Sequence, residues 1–274
     1  MSNNLILMLS VLVVLLLIRM PIGFAMLGAG IAYLAATGQD MGLAAEQVVN
    51  GLYNSYVLLA VPMFIFAANV MNAGTISERL FDFAKVLVGR MRGGLAQVDI
   101  LVSVIFSGMS GSAIADAAGP GLVTIKEMLK KPEYTPGFAG AVVVASATIG
   151  PIIPPSIPMV IYALVSGASI GALFVAGILP GLLMCGGFML VCYIQGRRRN
   201  FPRITAPFVW GDFWVQLAQA GPALAMPVLI IIFLRFGIAT PTEVSVMSTL
   251  YALVVSGLVY RDLTLQKLKH AAVE

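Results

Sequence analysis

One short segment near the middle of the chain, residues 107–121, constrains the fold more than any other. Eleven of its fifteen residues are glycine, alanine or serine, and it contains Asp116. It joins two apolar runs of about 14 residues, 93–106 and 112–125. As helices, these runs would each be about 21 Å long, too short to cross a bilayer core about 30 Å thick. The pattern therefore predicts a re-entrant helical hairpin with its tip near the membrane midplane.

The composition places this hairpin in an all-α polytopic membrane protein. The 274 residues are 59% hydrophobic and 10% charged, with a mean hydropathy of +0.98. Such values exclude an ordinary soluble domain. We expect about seven spanning helices besides the hairpin, at 5–18, 22–36, 54–72, 134–165, 170–195, 222–236 and 242–260. Residues 75–91 are amphipathic and are expected along the membrane interface, as is the aromatic segment 208–214.

The distribution of basic residues predicts the orientation of these spans. If Arg19 faces the cytoplasm, fifteen of the sixteen lysines and arginines fall on the cytoplasmic side, and Arg235 falls outside. The N-terminus is then periplasmic and the C-terminus of this chain is cytoplasmic. This agreement requires the hairpin to enter and leave on one side. Because membrane topology explains the net charge of +4, we expect no nucleic-acid partner.

A weak internal repeat relates residues 15–35 to residues 231–253. Each copy has an apolar run, one arginine, a proline-containing break and a helix that ends near a tyrosine. In the topology above the copies have opposite orientations, as in the inverted repeats of several transporter folds. The repeat predicts that a second copy of the architecture begins near residue 231 and that the chain ends before a second hairpin.

A second unusual segment, residues 146–158, contains four prolines inside an otherwise spanning run. A proline in a helix interior costs about 3 kcal/mol, so the helix should unwind between about Gly150 and Ile157. The released carbonyls suit a small hard cation such as Na⁺, and a new helix N-terminus near Ser156 would favour a carboxylate. A proline-kinked packing helix, or a loop outside the membrane, is the alternative.

The polar residues near these two segments are the other candidates. Ser110, Gly111 and Ser112 could surround a substrate or ion, or could serve only small-residue packing. Asp116 could bind a cation or bond to the backbone of the tip, because an intramembrane carboxylate by default marks function. Asp99 could pair with a neighbour or face a cavity. For Glu243 a structural role at a helix N-terminus is expected.

Several classes of site lack support in the sequence. Cys185 and Cys192 lie seven apart on one apolar helix, too far for a disulfide, and are expected to be packing residues. A single histidine, His270, excludes a histidine-rich metal site. There is neither a nucleotide-binding motif nor a nucleophile–base pair. We therefore expect no enzyme, no transition metal and no cofactor, with Na⁺ only as coupling ion.

The segments FSGMSGSAIADAAGPG, ASATIGPIIPPSIPMVIY and GIATPTEVSVMSTLYAL resemble the large (DctM-like) membrane subunit of tripartite ATP-independent periplasmic (TRAP) transporters. The resemblance covers nearly the whole chain. It implies an elevator-type, sodium-driven importer of organic acids such as C4-dicarboxylates or sialic acids. It also implies a small four-helix membrane subunit and a periplasmic substrate-binding protein as partners, besides membrane lipid, in the bacterial inner membrane.

The resemblance also implies domains and site residues. Residues 1–92 would form scaffold helices and an interfacial helix. Residues 93–196 would form half of a transport domain, with the hairpin at 93–131, a broken helix at 134–165 and a helix at 170–196. Residues 197–274 would form a cytoplasmic loop and the start of a second repeat. The candidate sodium and substrate residues are Ser107, Gly108, Ser110, Gly111, Ser112 and Asp116 at the tip, and Ser146, Thr148, Ile149, Gly150, Pro151, Pro154, Pro155 and Ser156 in the unwound segment.

The chain departs from this family in length, because family members continue through a second hairpin. A site built from both halves would then be half complete in this chain. Another ion-coupled secondary carrier and a truncated, non-transporting fragment are the two alternatives.

Overall fold

The computed structural model describes residues 3–54, 56–203 and 207–273, and their regular secondary structure is all helical, without a strand. The all-α membrane architecture expected from the composition is confirmed. The helices are α1 (Asn3–Leu17), α2 (Ile22–Thr37), α3 (Gly42–Asn54), α4 (Ala60–Asn72), α5 (Ile76–Val88), α6 (Gly94–Ser110), α7 (Ala113–Ala118), α8 (Pro120–Leu129), α9 (Pro136–Ala147), α10 (Ile157–Ser166), α11 (Ile170–Arg198), α12 (Trp210–Arg235), α13 (Pro241–Val254) and α14 (Leu265–Val273).

Three helical stretches of the described residues are long and apolar enough to cross a membrane. They are α11, α12 and Pro241–Val259, in which α13 continues into a π-helical turn. A fourth span is possible by composition if α4 and α5, bent by 73°, count as one. Five shorter apolar helices, α1, α2, α6, α9 and α10, accompany them. Short apolar helices and broken spans are typical of transporters, in which half-helices meet inside the membrane.

Three segments differ from the sequence expectation. The span expected at 54–72 is shorter, because a 3₁₀ turn (Tyr56–Leu59) precedes α4 and the connection before it contains α3. The span expected at 222–236 begins earlier, since α12 includes Trp210 and Trp214 of the aromatic segment. Pro222 and Pro227 lie inside α12 without ending it. The polar C-terminal tail contains α14, whose Ala271 is buried.

The chain separates into two compact units, residues 1–56 and 57–274. In the first unit, α1 packs against α2, and α2 packs against α3. In the second unit α6 is central, and α4, α5, α7, α8, α9, α11 and α12 all pack around it. Fourteen of its seventeen residues are buried, so α6 has no solvent- or lipid-facing side of any extent.

The two copies of the weak repeat share a local structure at their breaks. In the first, Arg19 has a left-handed φ of 65°, and Met20 N donates to the Leu15 carbonyl at 3.1 Å. In the second, Gly237 has a φ of 65°, and Ile238 N donates to the Phe233 carbonyl at 2.9 Å. Both are Schellman-type helix ends, and both precede a proline that starts the next helix. This shared turn supports the repeat, while the opposite orientation of the copies stays a prediction.

A carboxylate holds the bend between α4 and α5. Asp262 Oδ2 accepts hydrogen bonds from Thr75 N at 2.5 Å and from Thr75 Oγ1 at 2.7 Å. Thr75 precedes the first residue of α5, so this negative charge lies at the positive end of that helix. Arg79 also bonds to Thr75 and stacks on the Tyr260 ring, 4.3 Å from its centroid. These contacts stabilise the 73° bend between α4 and α5.

Candidate functional site

The predicted helical hairpin is present at residues 94–129. Helix α6 ends at Ser110, and Gly111 follows in the left-handed conformation with a φ of 60°. Ser112 is the N-cap of α7, because its hydroxyl accepts a hydrogen bond from Ala115 N at 3.3 Å. The chain therefore reverses within two residues, and α7 and α8 return from the tip as a helix with a break at Gly119. The re-entrant position of this hairpin in a bilayer stays a prediction.

The predicted break in the following span is also present. Helix α9 ends at Ala147 and α10 begins at Ile157, so residues 148–156 are unwound over a slightly longer range than expected. Ser156 is the N-cap of α10, as predicted: its hydroxyl accepts from Met159 N at 3.3 Å and donates to the Pro151 carbonyl at 2.5 Å. No hydrogen bond to the carbonyl oxygens of residues 152–155 exists within the described part of the chain.

The hairpin tip and the unwound segment lie against each other, backbone to backbone. A Cβ placed on Gly111 would overlap the Pro155 carbonyl oxygen and lie 3.1 Å from the Ser156 Cα. A Cβ on Gly150 would lie 3.2 Å from both Ala113 N and the Ser112 carbonyl carbon. Glycine thus permits close approach on both sides of the contact. The tip and the unwound segment, far apart in sequence, are thus packed against each other.

All six hydroxyl groups among the candidate residues have a local hydrogen bond. Ser107 donates to the Ser103 carbonyl at 2.5 Å, Thr148 donates to the Ala145 carbonyl at 2.6 Å, and Ser110 accepts weakly from Ser112 N at 3.4 Å. Ser112 accepts from Ala115 N, Ser146 donates to the Val143 carbonyl at 3.1 Å, and Ser156 donates to the Pro151 carbonyl. A hydroxyl that donates to a carbonyl keeps its own lone pairs, which a cation could use. Thr148 is exposed, whereas Ser107, Ser110, Ser146 and Ser156 are buried.

The remaining candidate residues, which have no hydroxyl group, lie around the contact between the hairpin tip and the unwound segment. Gly108 faces Pro227 of α12 and the Pro154 carbonyl, which would lie 3.8 Å from a Cβ at that position. Ile149 and Gly150 are fully buried, Pro151 is half-buried, and Pro154 and Pro155 are buried. The Pro154–Pro155 peptide bond is cis. The candidate residues of the unwound segment therefore lie inside the protein, except for the exposed Thr148 and the half-buried Pro151.

The two buried aspartates differ in their surroundings. Asp99 accepts a hydrogen bond from Ser146 Oγ at 2.6 Å, which links α6 to the last turn of α9. This bond settles the open question about Asp99 in favour of pairing with a neighbour. Asp116 is one turn beyond the tip on α7 and only 1% exposed, and neither of its carboxylate oxygens has a hydrogen-bond partner among the residues that the structure describes. Asp116 therefore does not bond to the backbone of the tip here.

The Asp99–Ser146 bond yields a stability prediction. We expect Ser146→Ala to lower the free energy of unfolding by about 1–3 kcal/mol, because it leaves a buried carboxylate oxygen without its donor. Thr148→Val is the matched control, since the Thr148 hydroxyl is exposed and donates to the Ala145 carbonyl of the adjacent helix end. Unfolding of both variants in detergent, followed by circular dichroism, measures the difference. Equal stabilities of the two variants would contradict this role.

Two contacts of the unwound segment were missed by sequence reasoning. A Cβ on Gly177 of α11 would overlap the Ile152 carbonyl oxygen, and one on Gly181 would overlap the Ile153 side chain. The signal for them was present, because glycines at i and i+4 on an apolar helix indicate a close packing surface. The expected structural role of Glu243 is confirmed: it forms a capping box with Thr240, whose backbone N donates to Glu243 Oε2 at 2.7 Å. Cys185 and Cys192 are free and buried, as expected.

The family model described as "Tripartite ATP-independent periplasmic transporter, DctM component" matches residues 9–274. The chain is 44% identical over 253 residues to the sialic acid TRAP transporter large permease protein SiaM of Vibrio cholerae, covering 92% of this chain and 58% of that protein. It is 37% identical over 257 residues to the 2,3-diketo-L-gulonate TRAP transporter large permease protein YiaN of Escherichia coli, covering 93% and 60%.

A third relative is the C4-dicarboxylate TRAP transporter large permease protein DctM of Vibrio cholerae. The chain is 36% identical to it over 229 residues, which cover 82% of this chain and 49% of the relative. The chain thus spans between about half and three-fifths of the length of these curated relatives. Since the family model extends over nearly all of the sequence, the chain belongs to the DctM component family of tripartite ATP-independent periplasmic transporters.

Proposed function

We propose that this chain supplies one sodium site and part of a carboxylate site to a sodium-driven importer of small organic acids. The observation that carries this proposal is the backbone contact between the hairpin tip at Gly111 and the unwound segment at Pro155 and Ser156. It brings the carbonyls of the buried residues Pro154 and Pro155, which accept no hydrogen bond from the described residues, next to the tip at Gly108 and Gly111. Oxygen ligands of this kind, without imidazole or thiolate, suit a hard monovalent cation.

The carboxylate part of the proposal follows from the start of α10. Ser156 caps this helix, so its amino end, with partial positive charge, faces the same contact. An anionic substrate group would be favoured there, next to the bound cation, as in other transporters with broken helices. The relatives named for sialic acid and for C4-dicarboxylates support an organic acid as the substrate class.

We also propose a membrane assembly in which the chain works. The chain would work in the bacterial inner membrane with a small four-helix membrane subunit and a periplasmic binding protein that delivers the acid. The N-terminus would face the periplasm, and the C-terminus of this chain the cytoplasm. Movement of residues 93–196 against the other helices would carry the acid across, with the sodium gradient as the energy source.

The test combines uptake with binding. The chain is reconstituted into liposomes with its small subunit and binding protein, and uptake of labelled organic acids is measured with and without an inward Na⁺ gradient. In parallel, Na⁺-dependent thermal stabilisation of the chain alone is measured, because a ligand that binds only the folded state raises the melting temperature. We expect both effects in the wild-type chain.

The expected effect of Ser110→Ala is an approximately tenfold higher Na⁺ concentration for half-maximal stabilisation, because one oxygen ligand is lost. Ser166→Ala is the control, since Ser166 is exposed and bonds to the Tyr162 carbonyl at the far end of α10. Na⁺ binding without uptake would support the site and indicate a non-transporting fragment. Uptake driven by another ion, with no response to Na⁺, would favour a different ion-coupled carrier.

A further inference from the structure

A groove on the surface of the second unit is separate from the proposed transport site. It runs between α9 and α11 and has a volume of about 220 Å³. Its walls are the stripe of Phe138, Ala141 and Ala145 on α9 and the stripe of Val191 and Gln195 on α11, which ends at Arg199. Along α11 and its C-cap the lining extends over 12 residues, from 188 to 199, which corresponds to a rise of about 16 Å.

The groove is apolar along its length and polar at one end only. Apart from Gln195 and Arg199, its lining consists of apolar residues and the buried Cys192. Ala141 and Val191 are exposed, so the groove is open along its side. A narrow, open, apolar slot on a helix surface that faces lipid has the shape of a single acyl chain.

The polar end carries an unneutralised positive charge. The Arg199 guanidinium lies 5.8 Å from the centroid of the Phe138 ring. No carboxylate of residues 3–54, 56–203 and 207–273 forms an ion pair with it. Phe138 belongs to an aromatic cluster with Tyr134 and Phe201, whose ring centroids lie 4.6 Å apart. Clustered aromatic rings beside arginines are typical of the membrane–water interface, so this end is expected at the level of the lipid headgroups.

We infer that this groove binds one anionic phospholipid, with an acyl chain between α9 and α11 and the phosphate at Arg199. Charge complementarity decides between the possible occupants. An apolar helix of a protein partner would fill the slot but would leave Arg199 unpaired, whereas a phosphate offers the bidentate acceptor that arginine prefers. The inference stands independently of the proposed transport function, because none of the lining residues belongs to the tip or to the unwound segment.

The test uses the full chain in liposomes that contain a photoactivatable phosphatidylglycerol, or a phosphatidylcholine with the same acyl chains. Cross-linked peptides are identified by mass spectrometry. We expect phosphatidylglycerol to label the exposed positions Ala141 and Val191 more strongly than phosphatidylcholine does. In Arg199→Gln this preference should fall about tenfold, because Arg199 attracts the net negative charge of phosphatidylglycerol, which the choline ammonium cancels in phosphatidylcholine.

Arg197→Gln is the matched control, since Arg197 is exposed on the same helix end but does not line the groove. Its labelling should equal that of the wild-type chain. Ala145→Phe should remove labelling by both lipids, because the ring would fill the slot. Equal losses in Arg197→Gln and Arg199→Gln would overturn the inference in favour of a diffuse basic surface.

Two further outcomes would also overturn it. Competition by inorganic phosphate or glycerol phosphate as effective as that by the lipid would indicate a free-phosphate site. Absence of lipid labelling together with cross-linked dimers would show that a second copy of the chain covers the groove. Folding of each variant is checked by its melting temperature in detergent, so that a loss of labelling is read only from folded protein.

Discussion

Gly111→Ala is expected to abolish Na⁺-dependent stabilisation of the chain and to lower its free energy of unfolding by about 2–5 kcal/mol. Two effects add at this position. The φ of 60° is in the left-handed region, which disfavours any residue with a Cβ. The new Cβ would also overlap the Pro155 carbonyl oxygen, a backbone atom that cannot move without moving the unwound segment. The tip and the unwound segment would separate, and the proposed oxygen ligands on the two segments would move apart.

Gly167→Ala separates the two effects. Gly167 ends α10 with a φ of 72°, and a Cβ there has no neighbour within 4 Å. Gly167→Ala should therefore lower the free energy of unfolding only by the cost of the left-handed conformation, about 1–2 kcal/mol, and should keep its stabilisation by Na⁺. Melting temperatures of the two variants in detergent, at several Na⁺ concentrations, make the comparison. If both variants lose the same stability and both keep their stabilisation by Na⁺, the close contact at Gly111 does not contribute to Na⁺ binding.

The local features of the site could be predicted because a few residues determine them. Gly111 and Ser112 specify a left-handed helix end followed by an N-cap, and the prolines at 151, 154 and 155 exclude a continuous helix. From these residues alone the hairpin and the unwound segment follow. Their adjacency is not specified by these residues; the resemblance to the TRAP large subunit implies it by assigning both segments to one sodium and substrate site.

The features that the sequence did not predict depend on tertiary packing. No local pattern indicates that Asp99 pairs with Ser146, 47 residues later, or that Asp262 holds the start of α5. The interior prolines of α12 look like helix breaks, yet the helix continues through Pro222 and Pro227. A proline that lacks only one hydrogen bond can be tolerated where neighbouring helices pack against the bend. In the unwound segment the prolines are closer together, so no such compensation is available.

The second large loss of stability is expected where the unwound segment packs against α11. Gly177→Ala on α11 is expected to lower the free energy of unfolding by about 1–3 kcal/mol and to weaken Na⁺ binding. A Cβ at residue 177 would overlap the Ile152 carbonyl oxygen and lie 2.7 Å from Met159 Cε. The methionine side chain can move away, but the carbonyl belongs to the backbone of the segment. The whole segment would shift away from α11, and its unbonded carbonyls would turn from their present positions.

Gly187→Ala is the matched control on the same helix. A Cβ at residue 187 has no neighbour within 4 Å, and the position is exposed. This variant should gain up to about 1 kcal/mol, because alanine favours the helix over glycine. Opposite signs for two glycine-to-alanine changes ten residues apart on α11 would show that the close contact, rather than helix propensity, determines the loss. Stabilisation of both variants would mean that Ile152 has room to move, and the proposed carbonyl site would then have to be formed by other residues.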